Sequence, residues 1–322
     1  MTSPEPRAGD PGPTMIEVQA LRKTYGDLVA VDGVSFEARG GQIFGLLGPN
    51  GAGKTTTIGC TSGLLSPSGG RVTLMGHDVV REGVAARRAL GVVPQELALY
   101  EDISARDNLA FWGAAYGLSG PALRRRVDEV LELVGLGDRG KEPVKRYSGG
   151  MKRRLNFGCG IVHQPRVLLL DEPTAGVDPQ SRVRLLDLVR AQAQAGACVV
   201  YTTHYMEEAQ ALCDRLVIID HGKVLATGTL AELRGLMGEK DLVRLTGRFD
   251  PAATLGIAQV NGAEVVSADG GSIVLAVAGA SRILPAIFAA VTASGGEIND
   301  ATISQPSLES LFIKLTGREL RQ

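Results

Sequence analysis

The run Gly48-Pro49-Asn50-Gly51-Ala52-Gly53-Lys54-Thr55-Thr56 has the residue types and spacing to hold a chain of phosphates. Its glycines let successive backbone N–H groups turn toward one point, and a helix starting behind them would add the positive end of its dipole. Lys54 would reach the β and γ phosphates of a nucleotide, and the Thr55 hydroxyl would ligate Mg2+. A second run, Val167-Leu168-Leu169-Leu170-Asp171-Glu172-Pro173, ends an apolar segment in two acids. At the carboxyl edge of a sheet these can divide the work: Asp171 would hold the Mg2+ shell, and Glu172 would accept a proton from an attacking water. The chemistry expected is hydrolysis of a nucleoside triphosphate.

Such residues need a sheet to carry them. A strand over 42–47 is predicted to feed the glycine loop, with shorter β-type runs at Ile16 to Val18, Leu28 to Val34 and Arg71 to Leu74 around it. Between Glu101 and Ile161 the pattern turns helical. Ser119, Gly120 and Pro121 form a start, Leu123, Val127, Val130, Leu131 and Val134 an apolar stripe, and Gly135 a stop. Buried-strand runs return at 167–170, 198–202 and 216–219, with an amphipathic helix over 181–194, so a largely parallel sheet is expected. From about Gly238 weaker strands (242–245, 264–266, 273–277) and helices (281–293, 307–315) indicate a small C-terminal α+β domain.

Taken in order, GPNGAGKTT, Gln95, Tyr147-Ser-Gly-Gly-Met151, LLLDEP, Val177-Asp178 and His204 resemble the ABC ATPase family across about residues 16–229. The resemblance implies an α/β fold: a P-loop NTPase core with an antiparallel β subdomain and a helical subdomain (about 97–163). The nucleotide-binding domain would span 15–238 and the accessory domain 239–322. It further implies that Ser148, Gly149 and Gly150 cap the γ phosphate of an ATP held by a second copy, so that the working unit is a homodimer. Gln95 would sit by the Mg2+ and the water, Asp178 would link the two sites, and His204 would contact the γ phosphate. Tyr25 stands where the family places a ring against adenine, though a tyrosine at a strand end also serves as a core or rim residue. The signature departs from the commoner Leu-Ser-Gly-Gly-Gln at Tyr147 and Met151.

The segment 305–320 (QPSLESLFIKLTGREL) and the run TTHYMEEA resemble the ATP-binding subunits of bacterial drug-resistance exporters of the ABC-2, daunorubicin-resistance-like type, whose permease is a separate chain. That branch implies ATP and Mg2+ as cofactors, integral membrane permease subunits as partners, and a place on the cytoplasmic side of the membrane. Tyr100, Phe111 and Trp112 lie where the family receives a short permease helix; they would equally fill the helical subdomain's core. The competing class is a soluble ABC ATPase of DNA repair or translation. Repair-type relatives insert a long coiled coil or zinc modules, and the translation type carries two cassettes; neither pattern is present.

Composition agrees with this reading. With 44% hydrophobic and 21% charged residues the chain is globular in type, and 42 glycines against 4% aromatics suit an α/β fold with tight loops. A net charge of -1 provides no general attraction to nucleic acid, and Lys152 to Arg154 is read as a solvated helix face. The four cysteines have no paired spacing, so neither zinc nor a disulfide framework is expected. His77, His163 and His221 stand outside any motif and are read as polar or packing residues. Residues 1–14, rich in Pro and Gly, are read as a disordered tail, and no apolar run approaches the ~18 residues needed to cross a bilayer.

Overall fold

The computed structural model describes residues 12–236, 240–250, 256–257, 260, 262–304 and 308–316. The expected tail (but for its last three residues), the boundary at Gly238 and parts of the 305–320 motif lie outside the described residues. Contacts divide the chain into two compact units, one ending at Leu225 and the other starting at Ala226.

The first unit opens with β1 (Thr14–Tyr25) and β2 (Leu28–Arg39), a long antiparallel hairpin that starts one residue inside the expected tail. β3 (Ile43–Leu47) follows, buried at every position, as befits a central parallel strand covered on both faces. Then come α1 (Lys54–Thr61), β4 (Gly69–Leu74), β5 (His77–Asp78), α2 (Gly83–Arg88) and β6 (Leu90–Val93). The helical part comprises α3 (Ala105–Ala115), α4 (Gly120–Leu133) and α5 (Gly149–Ile161). The chain returns through β7 (Val167–Asp171), α6 (Pro179–Gln194), β8 (Cys198–Thr203), α7 (Met206–Leu212), β9 (Arg215–Asp220) and β10 (Lys223–Gly228).

These strands form two sheets. One is antiparallel with the order β2-β1-β4-β5; the other has the order β10-β9-β3-β8-β7-β6, and β9, β3, β8, β7 and β6 pair in parallel. Between the layers Ile16, Val18, Phe36, Phe44, Leu46, Leu169, Val200 and Val217 form one core, with Phe36 stacked on Phe44 at 4.8 Å. This is the α/β architecture expected, antiparallel and helical parts included. Local signals act as predicted at α4, where Ser119 is the N-cap, Pro121 sits in the first turn and Gly135 follows the helix at φ 65°.

The second unit contains α8 (Leu230–Gly235), β11 (Lys240–Arg248), β12 (Ala263–Ala268), β13 (Ser272–Ala278), α9 (Ala280–Ala293), β14 (Glu297–Ser304) and α10 (Leu308–Thr316). Its antiparallel sheet runs β12-β13-β11-β14, and Val243, Leu245, Ile273, Leu275 and Val277 pack against Ile287 and Val291 of α9. Among the described residues no helix is long and apolar enough to cross a membrane.

Candidate active site

The glycine loop bridges β3 and α1. Gly51 and Gly53 take φ 81° and 101°, a region that costs other residues dearly. Gly48 is required for a different reason: a Cβ there would lie 2.3 Å from the Ile219 carbonyl oxygen of the neighbouring strand β9. Lys54 opens α1 and turns its ammonium back into the loop, donating to the carbonyls of Gly48 at 2.8 Å and Pro49 at 3.0 Å.

Strand β7 brings Asp171 and Glu172 to the same edge. Lys54 Nζ lies 2.9 Å from Glu172 Oε1, with both side chains buried. The second oxygen, Oε2, meets His204 Nδ1 at 3.0 Å. His204 directly follows β8, so register within the sheet explains the meeting: β7 and β8 pair Asp171 with Thr202. Thr202 itself was not anticipated from the sequence. Its hydroxyl donates to Asp171 Oδ1 at 2.7 Å and accepts the Glu172 N–H at 2.9 Å, so one side chain orients both acids. Glu172 adopts φ 43°, a left-handed conformation rare for a non-glycine residue and often associated with functional sites.

A cleft of about 430 Å3 gathers much of the expected set: Tyr25, Asn50, Gly51, Gly53, Lys54, Thr55, Thr56, Gln95 and Glu172. Its size suits a nucleotide. Tyr25 is half exposed at the rim with Lys23 Nζ over its ring at 5.1 Å. A hard cation takes oxygen donors, and the Thr55 hydroxyl, the Gln95 amide oxygen and the Asp171 carboxylate supply that chemistry.

The remaining expected residues form a second cluster. Ser148 caps α5, its hydroxyl accepting the Met151 N–H at 3.3 Å. Asp178 caps α6, accepting the Ser181 N–H at 3.0 Å, and these bonds hold its carboxyl below the ordinary range. The two caps adjoin, since a Cβ on Gly150 would lie 2.3 Å from Ser181 Oγ and 3.0 Å from Asp178 Oδ1. None of Ser148, Gly149, Gly150 or Asp178 lines the cleft that holds Lys54. The two signature departures are accommodated through Arg139: the Tyr147 hydroxyl donates to its carbonyl at 2.7 Å, and its guanidinium reaches Met151 Sδ at 3.4 Å.

The reading of Lys152 to Arg154 as a solvated face is corrected. Lys152 pairs with Glu101 at 2.6 Å, and Arg154 donates to the Val134 carbonyl at 2.6 Å. Arg153 is buried, donating to the carbonyls of Gln95 at 2.5 Å and Ala175 at 3.0 Å. A triplet of cations says nothing about helix phase, which turns each of these three toward a different partner. Of the three remaining histidines, read as polar or packing residues, His163 packs by stacking on Tyr116 at 3.5 Å, while the partly exposed His77 and the exposed His221 are polar groups that meet Glu82 at 3.1 Å and Asp220 at 3.7 Å.

A phosphate loop on a parallel sheet, with its lysine paired to a strand-end acid and that acid to a histidine, defines a P-loop nucleotide hydrolase. Comparison with known proteins narrows the class. The ABC transporter family matches residues 31–175, and the family described as ATP-binding protein DrrA1-3-like, C-terminal domain, matches residues 228–316. The chain is 41% identical over 311 residues to the linearmycin resistance ATP-binding protein LnrL of Bacillus subtilis (strain 168), covering 95% of this chain and 100% of that one. It is 39% identical to the daunorubicin resistance ATP-binding protein DrrA3 of Streptomyces coeruleorubidus, covering 96% and 98% of the two chains. A solved ATP binding subunit of an ABC transporter superposes with a TM-score of 0.65 at 32% identity, covering 70% of this chain and 94% of that one. The protein therefore belongs to the ABC transporter ATP-binding subunits, in the branch with a DrrA-like C-terminal domain, and is an ATPase whose kind works with membrane permeases. The soluble repair or translation class is not favoured.

Proposed function

We propose that two copies of this chain clamp two ATP molecules between them and that hydrolysis releases the clamp, driving a separate membrane permease that exports a drug-like or lipophilic compound. The observation that carries this reading is the division of the site. Lys54, Glu172, His204 and Gln95 serve one cleft, while Ser148 to Gly150 and Asp178 cluster apart from its lining. Two half-sites on one chain become whole when a second copy presents its signature to the first copy's nucleotide.

In this mechanism the glycine loop and Lys54 bind the phosphates and Tyr25 lies against the adenine. Thr55, Gln95 and Asp171 would hold Mg2+, which when bound would supply neutralisation of the charge developing on the phosphates. Glu172 takes the proton of the water whose oxygen bonds to the γ phosphorus while the bond from that phosphorus to the β–γ bridging oxygen breaks, so that ADP and inorganic phosphate are released, and His204 orients the carboxylate while contacting the γ phosphate. The protein works at the cytoplasmic face of the membrane, held there by its permease. A docking place is supported by an apolar cavity of about 220 Å3 lined by Leu64, Pro94, Ala98, Trp112 and Tyr116, with Tyr100 and Phe111 exposed nearby. The drug-resistance names of the similar proteins support export of lipophilic cargo. The second unit serves as an accessory domain.

The test is Glu172→Gln. The variant is expected to bind ATP, to lose steady hydrolysis and to run as an ATP-dependent dimer in size-exclusion chromatography. Normal turnover would overturn the role of Glu172, and a monomer at saturating ATP would overturn the clamp.

A further inference from the structure

Asp178 and His204 lie on different elements, yet a polar connection runs between them, from the exposed Asp178 through the partly buried Arg182 to the buried Glu208. Asp178 caps α6, and the next turn of that helix presents Arg182, whose N–H donates to the Asp178 carbonyl at 2.9 Å. The Arg182 guanidinium stands over the Tyr205 ring at 4.8 Å, and its Nε lies 3.4 Å from Glu208 Oε1. Glu208 is only 3% exposed. Its other oxygen, Oε2, accepts from the hydroxyls of Tyr201 and Thr203, each at 2.9 Å. Thr203 Oγ1 in turn accepts the Tyr205 N–H at 2.9 Å, so both chain neighbours of His204 are anchored to this one carboxylate or to the arginine it pairs with. Tyr201 also approaches the Thr174 hydroxyl at 3.4 Å, two residues beyond Glu172.

We propose that Arg182 and Glu208 form a positioning link, which sets the His204–Glu172 contact according to where the Asp178 loop holds α6. The inference rests on the roles given above to Asp178 and Glu172. Its physical basis is the slack in the pair. Arg182 Nε and Glu208 Oε1 are both buried and stand 3.4 Å apart, an ion-pair contact whose N–H is not aimed well enough at the oxygen to form a hydrogen bond. A buried donor and acceptor left in that condition gain free energy by closing. A small movement of α6 that turns the Arg182 N–H toward the oxygen and shortens the contact brings the pair into hydrogen-bond geometry, about 2.9 Å for a bond of this type. The Glu208 end cannot yield as easily, being held by two hydroxyls. Burial, with Glu208 beside it, keeps Tyr201 protonated well above its ordinary range, so that hydroxyl stays a donor. Motion at the Asp178 cap is thus delivered to Tyr205 and Thr203, and so to the imidazole between them.

The experiment uses the full chain with Arg182→Ala, Arg182→Lys, Glu208→Gln and the Arg182→Ala/Glu208→Gln pair. Steady ATPase kcat and KM, thermal melting and ATP-dependent dimerisation in a Glu172→Gln background are measured. Arg182→Ala and Glu208→Gln are each expected to lower kcat about tenfold or more, with KM for ATP and dimerisation unchanged. Arg182→Lys should recover part of the loss, and the double variant should be no slower than the slower single one. Unchanged kcat in folded single variants overturns the link, as do losses that multiply in the double variant or a raised KM alone. Should Arg182→Ala fail to fold, Arg182→Lys and Glu208→Gln decide the matter by the same split between kcat and KM. If Glu172→Gln stops turnover while these variants are indifferent, only the link is lost; if Glu172→Gln turns over, the catalytic reading itself falls.

Discussion

Lys54 Nζ and Glu172 Oε1 are joined at 2.9 Å in a buried ion pair, and the same ammonium donates to the carbonyls of Gly48 and Pro49. An ammonium has three donors, and these three partners match them. The cation that would meet phosphate is therefore also the counter-ion of the acid that would activate water.

Removing it has two consequences. Lys54→Ala leaves the Glu172 carboxylate with His204 as its remaining partner among the described residues and is expected to cost about 3 kcal/mol, as breaking a buried pair from one side does. Glu172→Gln leaves Lys54 with two carbonyls and an amide oxygen and should cost less. Urea unfolding checks the order, and Lys54→Ala combined with Glu172→Gln should regain much of the loss. ATP binding, followed by titration, should fail in both variants that lack Lys54.

Two glycines of the loop should differ in sensitivity. Gly51 needs only its φ of 81°, with nothing within 4 Å of an added Cβ, so Gly51→Ala is expected to cost about 1 kcal/mol. Gly48→Ala drives a methyl against the Ile219 carbonyl, a backbone obstacle that costs about 2 to 3 kcal/mol. Thermal melts alongside ATP titration should show the larger loss of both stability and affinity at Gly48.

Stability should fall on mild acidification because of His163. Burial holds its pKa below the ordinary 6.5, with nearby Arg126 acting in the same direction and the hydrogen bond to the Leu90 carbonyl opposing them. The unfolded imidazole thus takes a proton at a higher pH than the folded one. Stability is lost as pH drops through 6.5 and continues to fall until the folded pKa is passed. His163→Phe keeps a ring against Tyr116 and should flatten this slope. Urea midpoints between about pH 7.5 and 5.5 report it.

The thiols should report unfolding. Cys60, Cys159, Cys198 and Cys213 are all buried, and burial raises each thiol pKa, that of Cys198 to about 12. A thiol reagent near pH 8 should label almost nothing in the native protein, since thiolate is the reactive form. Four equivalents are expected after denaturation. Fast labelling of the folded protein would contradict the packing.

The sequence reveals most where a local rule and the tertiary environment agree. β3, β7 up to Leu170 and β8 up to Tyr201 lack polar alternation because both of their faces are covered, and α4 carries its own start and stop. β6 and β14 carry no clear strand signal in the sequence. Leu90-Gly91-Val92-Val93 is too short to stand out, and β14 is mostly exposed, so alternation leaves no trace in it. The phosphate loop and the acids are legible because their chemistry demands fixed types at fixed spacing. Thr202, Arg153 and Arg182 are not, because their partners lie far off in the chain and only sheet register and helix phase bring them together.

Arg153 ties the signature helix to two loops of its own chain. It rides on the helix that Ser148 caps, and its two nitrogens grip the Gln95 carbonyl and the Ala175 carbonyl. In the proposed dimer that helix points at the partner's nucleotide while Arg153 holds the loops beside its own. The two turnovers then share one mechanical part and do not run as independent events. Hydrolysis should rise with ATP more steeply than a hyperbola, and a dimer with one dead half-site should fall well below half the normal rate.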